Sequence, residues 1–251
     1  MKTITLTFFS LLFAITVAAQ NNSTAKQVPI QLTETTMVKD TVGTVYPYTV
    51  WRQLMATGRY SIKPEKPQDP ATAFIIIRLT DEQYEAKMTT LPKPKESAYF
   101  KTGEKFHYFK TSDIDGNKIS NKTLAGKILV LNYWFINCPP CRLEIPELNK
   151  LAEQYKNDSS VVFIAVALDT KSDLKHFLKT SPFKYSIVDD GRFIANEYRV
   201  TAYPTNVIID HEGKVYFHSS GFASNMVYWL EKSINEIKKG MPKKDMAVAS
   251  Q

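Results

Sequence analysis

The spacing of apolar and polar positions changes abruptly in the middle of the chain. Residues 127–136 form an apolar run rich in β-branched and aromatic side chains, which is typical of a buried strand. After the sequence Cys-Pro-Pro-Cys the apolar positions follow helical spacing, with Leu143, Leu148 and Leu151 as the expected buried set. The pattern predicts a strand that runs directly into a helix ending near Tyr155, with two cysteines at the junction.

The C-terminal half continues this alternation of apolar strands with amphipathic helices. The further strands are predicted at 161–167, 200–210 and 214–218, and the helices at 172–180, 190–198 and 224–239. The first two strands, which are separated by a helix, should run parallel, whereas the last two strands, which are joined by a tight turn, should run antiparallel. The resulting order, β-α-β-α-β-β-α, is typical of the α/β class.

A β-hairpin is predicted in front of the central strand. Residues 105–111 alternate as an edge strand does, residues 113–117 supply an Asp-Gly turn, and residues 120–126 form a short helical turn. The proline-containing stretch 92–95 is the best candidate for a linker. We therefore expect residues 93–240 to form the main domain.

Residues 28–92 carry weaker periodicity. A strand at 73–79 and a short helix at 81–88, capped by Thr80 or Asp81, predict a small N-terminal α+β region. Its expected role is structural or partner docking.

The two ends of the chain differ from the rest in composition. Residues 1–19 have a short basic start, an apolar middle and small residues before a cut after Ala19, which predicts a signal peptide. An uncleaved anchor is less favoured, because the apolar segment is short and interrupted by threonine and serine. Residues 20–27 should be disordered and residues 241–251 a polar tail. The expected location is the periplasm or another extracytoplasmic space.

Charge and histidine placement narrow the function classes. The net charge is +7, but the basic residues form no stripe with a reading motif, so nucleic acid is not an expected partner. The four histidines are scattered rather than spaced as metal ligands. We therefore expect no metal and no cofactor.

The cysteines carry the candidate chemistry. Both cysteines of the chain, Cys138 and Cys141, lie in one motif, so neither is left over for a structural disulfide and the pair is expected to serve exchange. At the start of a helix, free N–H groups and the helix dipole favour a thiolate at Cys138. Pro139 and Pro140 fit the first two helical positions but remove two donors, leaving mainly the N–H groups of Cys141 and Arg142. A less stabilised thiolate predicts a reductant rather than a strong oxidant.

Three separate motifs together resemble one known family. They are Trp134-Phe135-x-x-Cys138-Pro139-Pro140-Cys141 on a strand-to-helix turn, Pro146 inside the helix, and Tyr203-Pro204-Thr205 at the start of a later strand. This combination resembles the thioredoxin superfamily and, within it, the TlpA/ResA-like exported thiol–disulfide reductases. The resemblance covers about 106–239 and implies a three-layer α/β/α fold with an N-terminal β-hairpin.

The resemblance also implies roles for individual residues. Cys138 would be the nucleophile that forms a mixed disulfide, and Cys141 the buried resolving thiol. Pro204 would correspond to the family's cis-proline, and Tyr203 would offer backbone groups to an extended substrate. Trp134 would pack beside the motif. The residues expected at the substrate-binding surface are Trp134, Pro139, Pro140, Tyr203 and Pro204.

Glu144 lies where the reductase branch often carries an active-site glutamate. It is either a proton shuttle for the cysteines or a first-turn carboxylate favoured by the helix dipole. The chain departs from thioredoxin at Asn132, where thioredoxin has a buried aspartate, and at Asn137, where it has tryptophan. Asn132 cannot titrate, and both departures argue against a proton route like that of thioredoxin, which makes Glu144 the more important candidate for proton transfer.

The function expected from the resemblance is a dithiol reductant of exported proteins. Its partners would be disulfide-containing exported proteins, including cysteines awaiting haem in cytochrome c maturation, and an upstream membrane thiol donor. A disulfide-forming oxidase or isomerase of the same fold and a non-catalytic binding module are the alternatives. Peroxiredoxin-type peroxidase chemistry is not favoured, because Phe135 stands where that site has threonine.

Overall fold

The computed structural model describes residues 32–67, 69 and 72–241. The predicted signal peptide, the segment 20–27 and residues 242–251 of the tail lie outside the described residues. Within those ranges, no helix combines the length and the apolar character that a membrane span requires.

The described chain contains eleven strands and seven helices. The strands are β1 (Val38–Lys39), β2 (Val45–Tyr46), β3 (Tyr60–Pro64), β4 (Phe74–Arg78), β5 (Thr111–Ser112), β6 (Lys118–Ile119), β7 (Ile128–Trp134), β8 (Val161–Ala167), β9 (Ser186–Val188), β10 (Thr205–Ile209) and β11 (Val215–Ser220). The helices are α1 (Tyr48–Ala56), α2 (Asp81–Thr90), α3 (Asn121–Leu124), α4 (Pro139–Gln154), α5 (Lys171–Phe177), α6 (Arg192–Glu197) and α7 (Met226–Gly240).

The main sheet has five strands in the order β11-β10-β7-β8-β9. The parallel pair β7–β8 and the antiparallel pair β10–β11 confirm the predictions. In addition, β8–β9 is parallel and β7–β10 is antiparallel, two pairings that the sequence did not predict. All seven residues of β7 are buried, because helices cover both faces of the sheet. This explains why its sequence is a continuous apolar run rather than an alternating one.

The two faces of β7 belong to different cores. Ile128, Val130 and Trp134 pack with α4 and α7, whereas Leu129 and Leu131 pack with α3 and α6. This division follows from the period of two along a strand. The domain is therefore a three-layer α/β/α fold of the thioredoxin type, as predicted.

Two local predictions about the main domain were wrong. Strand β9 was not expected, because its three residues are too few to give a periodic pattern. Of the predicted edge strand 105–111 only the two ends pair as a strand does: Lys105 forms an isolated antiparallel bridge with Lys214, and Thr111 begins β5. Instead Phe106 and Phe109 are both buried against the sheet, a spacing of three that no flat strand can supply.

The predicted turn before the central strand is confirmed. Strands β5 and β6 pair antiparallel on either side of Asp113–Asn117, and Gly116 has a φ of 90°, a conformation that side chains disfavour. The Asp113 carboxylate accepts hydrogen bonds from the backbone N–H groups of Asp115 and Asn117 and from the Ser186 hydroxyl. Burial raises the pKa of Asp113, but these hydrogen bonds outweigh it and the net pKa is lowered.

The residues before the linker build a second, smaller sheet. Its order is β2-β1-β4-β3, with β1 parallel to β4 and the other pairs antiparallel. The predicted strand and helix correspond to β4 and to α2, whose N-cap is Thr80, but helix α1 was not expected. Tyr84 and Met88 of α2 pack against Tyr228 of α7, and Thr35–Gln251 cluster as one unit. The predicted boundary at 92/93 stays a prediction.

Candidate redox site

Cys138 and Cys141 form a disulfide at the N-terminus of α4. Cys138 is the N-cap residue, and Pro139 and Pro140 occupy the first helical positions, where a missing N–H breaks no intrahelical bond. The Cys138 sulfur accepts the N–H of Cys141 at 3.3 Å. The expectation that Arg142 also donates to this sulfur was wrong, because its N–H bonds the Cys138 carbonyl oxygen as the first helical hydrogen bond.

The loop before the cysteines is fixed by a residue that the sequence analysis did not single out. The Asp169 carboxylate accepts the N–H of Ile136 at 2.8 Å. Asp169 follows β8 just as Ile136 follows β7, and the two strands are parallel neighbours. An acidic residue directly after the second parallel strand was the signal that could have identified it, because the carboxyl ends of such strands share one sheet edge.

The proline predicted to face the motif heads β10. The Tyr203–Pro204 bond is cis. Thr205 pairs with Tyr133, so Pro204 lies at the end of β7 from which the chain continues to the cysteines. The ring of Tyr203 contacts Phe135 edge-on at 5.4 Å, and the Pro204 carbonyl accepts the N–H of Gly221 at 2.7 Å.

The predicted substrate-contact residues differ in how far they reach the surface. Pro139 is exposed, Pro140 and Tyr203 are half-buried, and Pro204 is buried. Trp134 is completely buried, and its ring packs on two phenylalanines, Phe177 and Phe183. Trp134 belongs to the same buried cluster as both cysteines, so it supports the disulfide from within the core. The expectation that Trp134 lies at the substrate-binding surface was wrong, because its side chain is not exposed.

Helix α4 buries a different set of leucines from the one predicted. Leu148 and Leu151 are buried as expected, but Leu143 is 42% exposed and Ile145 lies in the core instead. The reason is geometric: at 100° per residue, position 143 is about 200° from Cys141, on the opposite side of the helix. Leu143 thus adds an exposed apolar group close to the cysteines.

Glu144 points into the core and is only 4% exposed. Its Oε2 accepts a hydrogen bond from Nδ2 of Asn206 at 3.2 Å, and Oδ1 of Asn206 accepts one from Nδ2 of Asn132 at 2.9 Å. Burial raises the pKa of Glu144 to about 8, although the hydrogen bond from Asn206 opposes the shift. A carboxyl group one helical turn from Cys141 is thus able to gain or lose a proton near neutral pH.

Histidines do not contribute to this site. His218 is buried on β11, where its Nδ1 accepts the N–H of Ser97, and burial lowers its pKa. Among the described residues, no group of three or more His, Cys, Asp or Glu side chains is arranged to hold a metal ion. On α4, the buried carboxyl group nearest to the cysteines along the chain is that of Glu144, three residues after Cys141.

Comparisons with known proteins place this geometry in a family. A family model described as the AhpC/TSA family matches residues 102–218. The thioredoxin-like protein YneN of Bacillus subtilis is 30% identical over 123 residues, which are 48% of this chain and 72% of YneN. This chain belongs to the thioredoxin-like family.

A second relative of this thioredoxin-like protein carries a more specific name. The thiol–disulfide oxidoreductase ResA of Bacillus cereus is 35% identical over 114 residues, which are 45% of this chain and 66% of ResA. The match thus spans just under two thirds of that relative. A crystal structure from Chlorobium tepidum, described as a candidate thiol:disulfide interchange protein DsbE, is 27% identical. It superposes with a TM-score of 0.50 over 55% of this chain and 98% of its own.

Proposed function

We propose that this thioredoxin-like protein is a thiol–disulfide oxidoreductase that reduces disulfides of exported proteins. The observation that carries the proposal is the disulfide between Cys138 and Cys141 at the N-terminus of α4, with Pro139 exposed beside it. Only two residues separate the cysteines, so their disulfide does not tie together distant parts of the chain as a structural disulfide does. Exchange is therefore its natural role.

The reaction begins from the reduced pair. The Cys138 thiolate attacks one sulfur of a substrate disulfide, forming a mixed disulfide, and the other substrate sulfur leaves as a thiolate. The Cys141 thiolate then attacks the Cys138 sulfur and displaces the second substrate thiolate. Two electrons pass to the substrate, whose sulfurs take up two protons, and the pair ends as the disulfide seen here.

Glu144 is proposed to handle the proton of Cys141. Its carboxyl group is buried, titrates near neutral pH and lies three residues after Cys141 on the same helix, a spacing that brings side chains into contact. Ionised Glu144 would accept the Cys141 proton as that thiol becomes the attacking thiolate. A group with a pKa near the working pH is suited to such a transfer.

The donors around the Cys138 sulfur support the proposed direction of electron flow. Only the N–H of Cys141 reaches it among the described hydrogen bonds, because Pro139 and Pro140 have no N–H to offer. A thiolate with one backbone donor is less stabilised than one with several, which favours a reducing couple. The proposed upstream partner is a membrane thiol donor that regenerates the dithiol.

The proposed substrates are exported proteins with accessible disulfides, including cytochrome c precursors with oxidised haem-binding cysteines. The composition of residues 1–19 supports export to the periplasm or another extracytoplasmic space. Pro139, Pro140 and Tyr203 would contact the substrate chain, with the backbone of Tyr203 pairing in an extended mode.

Reduction of insulin by dithiothreitol tests the proposal. The wild-type protein should accelerate insulin precipitation, and Cys138→Ser should abolish the effect. Refolding of a scrambled disulfide substrate serves as the parallel assay. Catalysis of refolding without insulin reduction would identify an isomerase or oxidase, and activity in neither assay would identify a binding module.

A further inference from the structure

A directional chain of amide groups ends at Glu144. Asn132 lies on β7 and Asn206 on β10, directly opposite each other in the antiparallel register. Asn132 donates to Asn206, and Asn206 donates to Glu144. The asparagines are 2% and 0% exposed, so no bulk water competes for these groups.

The orientation of the Asn206 amide is set by Asn132. If the Asn206 amide were reversed, its oxygen would face the Glu144 carboxyl group and its NH₂ would face the NH₂ of Asn132. Two donors in contact and a carboxylate opposite an acceptor are both unfavourable in a buried site. With Asn132 as donor to Oδ1 of Asn206, the NH₂ of Asn206 faces Glu144 on α4.

The carboxyl group receives this donor on one oxygen only. Oε2 of Glu144 accepts the Asn206 hydrogen bond, whereas Oε1 is buried and has no partner in the part of the chain that the structure describes. An oxygen that accepts a hydrogen bond along its lone pair is the poorer place for a proton. In the neutral acid the proton therefore resides on Oε1.

Other titratable groups facing Glu144 are few. The cysteine pair lies one turn earlier on α4. Tyr185, in the segment before β9, is buried and close enough that the charge of Glu144 contributes to raising the pKa of its phenol. Tyr185 is uncharged at neutral pH, so the Asn206 amide is the polar group in direct contact with the carboxylate.

We propose that Asn206, oriented by Asn132, is a positioning residue that stabilises ionised Glu144 and, by bonding Oε2, leaves Oε1 as the proton-bearing oxygen. The proposal rests on the proposed redox function for its part in catalysis, but the hydrogen-bond arrangement can be tested without any activity. It also explains the asparagine at position 132: a carboxylate there would turn the neighbouring amide round and remove the donor from Glu144.

The test is the titration of Glu144 in the oxidised protein, followed by NMR of ¹³C-labelled glutamate carboxyl groups and assigned with Glu144→Gln. The wild-type midpoint should lie near pH 8. Asn206→Leu should move the midpoint upward by about one pH unit or more, because a hydrogen bond to a charged group is lost. Asn132→Ala should move it in the same direction, because the released Asn206 amide can reverse.

A matched control comes from the same helix. Asn149 of α4 bonds the Pro182 carbonyl and the Lys184 N–H near the surface, so Asn149→Ala removes amide hydrogen bonds without touching the chain to Glu144. The titration midpoint of Glu144 in Asn149→Ala should equal that in the wild type. The pH profile of iodoacetamide alkylation in the reduced protein is a second readout. Its midpoint should shift in Asn206→Leu and in Asn132→Ala but not in Asn149→Ala.

The outcomes separate this inference from the proposed function. An unchanged Glu144 midpoint in folded Asn206→Leu overturns the positioning role, even if the protein reduces insulin. If Asn206→Leu does not fold, Asn132→Ala decides, and an unchanged midpoint there overturns the role equally. Shifted midpoints in a protein without reductase activity would support the positioning and reject the proposed function.

Discussion

The buried carboxyl group of Glu144 should make the oxidised protein less stable as the pH rises. The folded state holds Glu144 at 4% exposure with a pKa of about 8, against an ordinary value of 4.5. Because the folded state binds this proton more tightly than the unfolded state, ionisation favours unfolding. The penalty begins as the pH passes about 4.5, grows up to about 8, and is constant above that.

The size of the effect follows from the same two values. Each unit of pKa difference corresponds to about 1.4 kcal/mol, so integration between pH 5 and pH 8 gives a loss of about 3.5 kcal/mol in the free energy of unfolding. Glu144→Gln keeps the size of the side chain and an acceptor for Asn206 but cannot ionise. Its stability advantage over the wild type should therefore increase by about 3.5 kcal/mol over this range.

Guanidinium chloride unfolding of the oxidised proteins, followed by tryptophan fluorescence at pH 5, 6, 7 and 8, measures this difference. Glu147→Gln is the control, because Glu147 lies on the same helix but is only half-buried and pairs with the exposed Lys150. The free energy of unfolding of Glu147→Gln should change with pH as that of the wild type does. Parallel pH dependences for the wild type and Glu144→Gln would refute the argument that burial holds Glu144 protonated.

Three further substitutions, one of them with a matched control, test packing and hydrogen bonds elsewhere in the fold. Gly191→Ala should cost about 2 kcal/mol, because a Cβ there would lie 2.4 Å from a valine methyl carbon of β8, whereas Gly240→Ala meets nothing within 4 Å and should leave the melting temperature nearly unchanged. Asp113→Ala should cost about 1–3 kcal/mol at pH 7 in denaturant unfolding. The difference in the free energy of unfolding between the wild type and Asp113→Ala should disappear as the pH falls below about 4, because the pKa of Asp113 is lowered in the folded state. Asn225→Ala removes the donor to the Pro92 carbonyl and should speed proteolysis of the linker; unchanged cleavage would contradict this.

Much of the main domain could be predicted because its strongest signals are local. The central strand is buried on both faces, so its pattern is a continuous apolar run, and the prolines after Cys138 mark the start of α4. The tight turn at 210–213 fixed the antiparallel pair. The three-residue β9 and the helix α1 were missed, because short or weakly patterned elements owe their form to tertiary contacts.

The candidate site could be predicted in part for the same reason. The cysteines and Glu144 share one helix, so spacing alone places them together. Asp169 and Asn206 come from other strands, and their approach to the site depends on sheet order and register, which no local pattern specifies. Leu143 shows the opposite error: its apolar character predicted a buried side chain, but its angular position on α4 leaves it exposed.

Capture of the mixed disulfide tests the central claim most directly. Reduced Cys141→Ala, incubated with oxidised insulin and analysed by mass spectrometry, should accumulate a covalent adduct through Cys138, because the resolving thiol is absent. Cys138→Ala should accumulate far less. If Cys141→Ala formed no adduct while Cys138 still reacted with iodoacetamide, the pair would not be an exchange centre for protein disulfides.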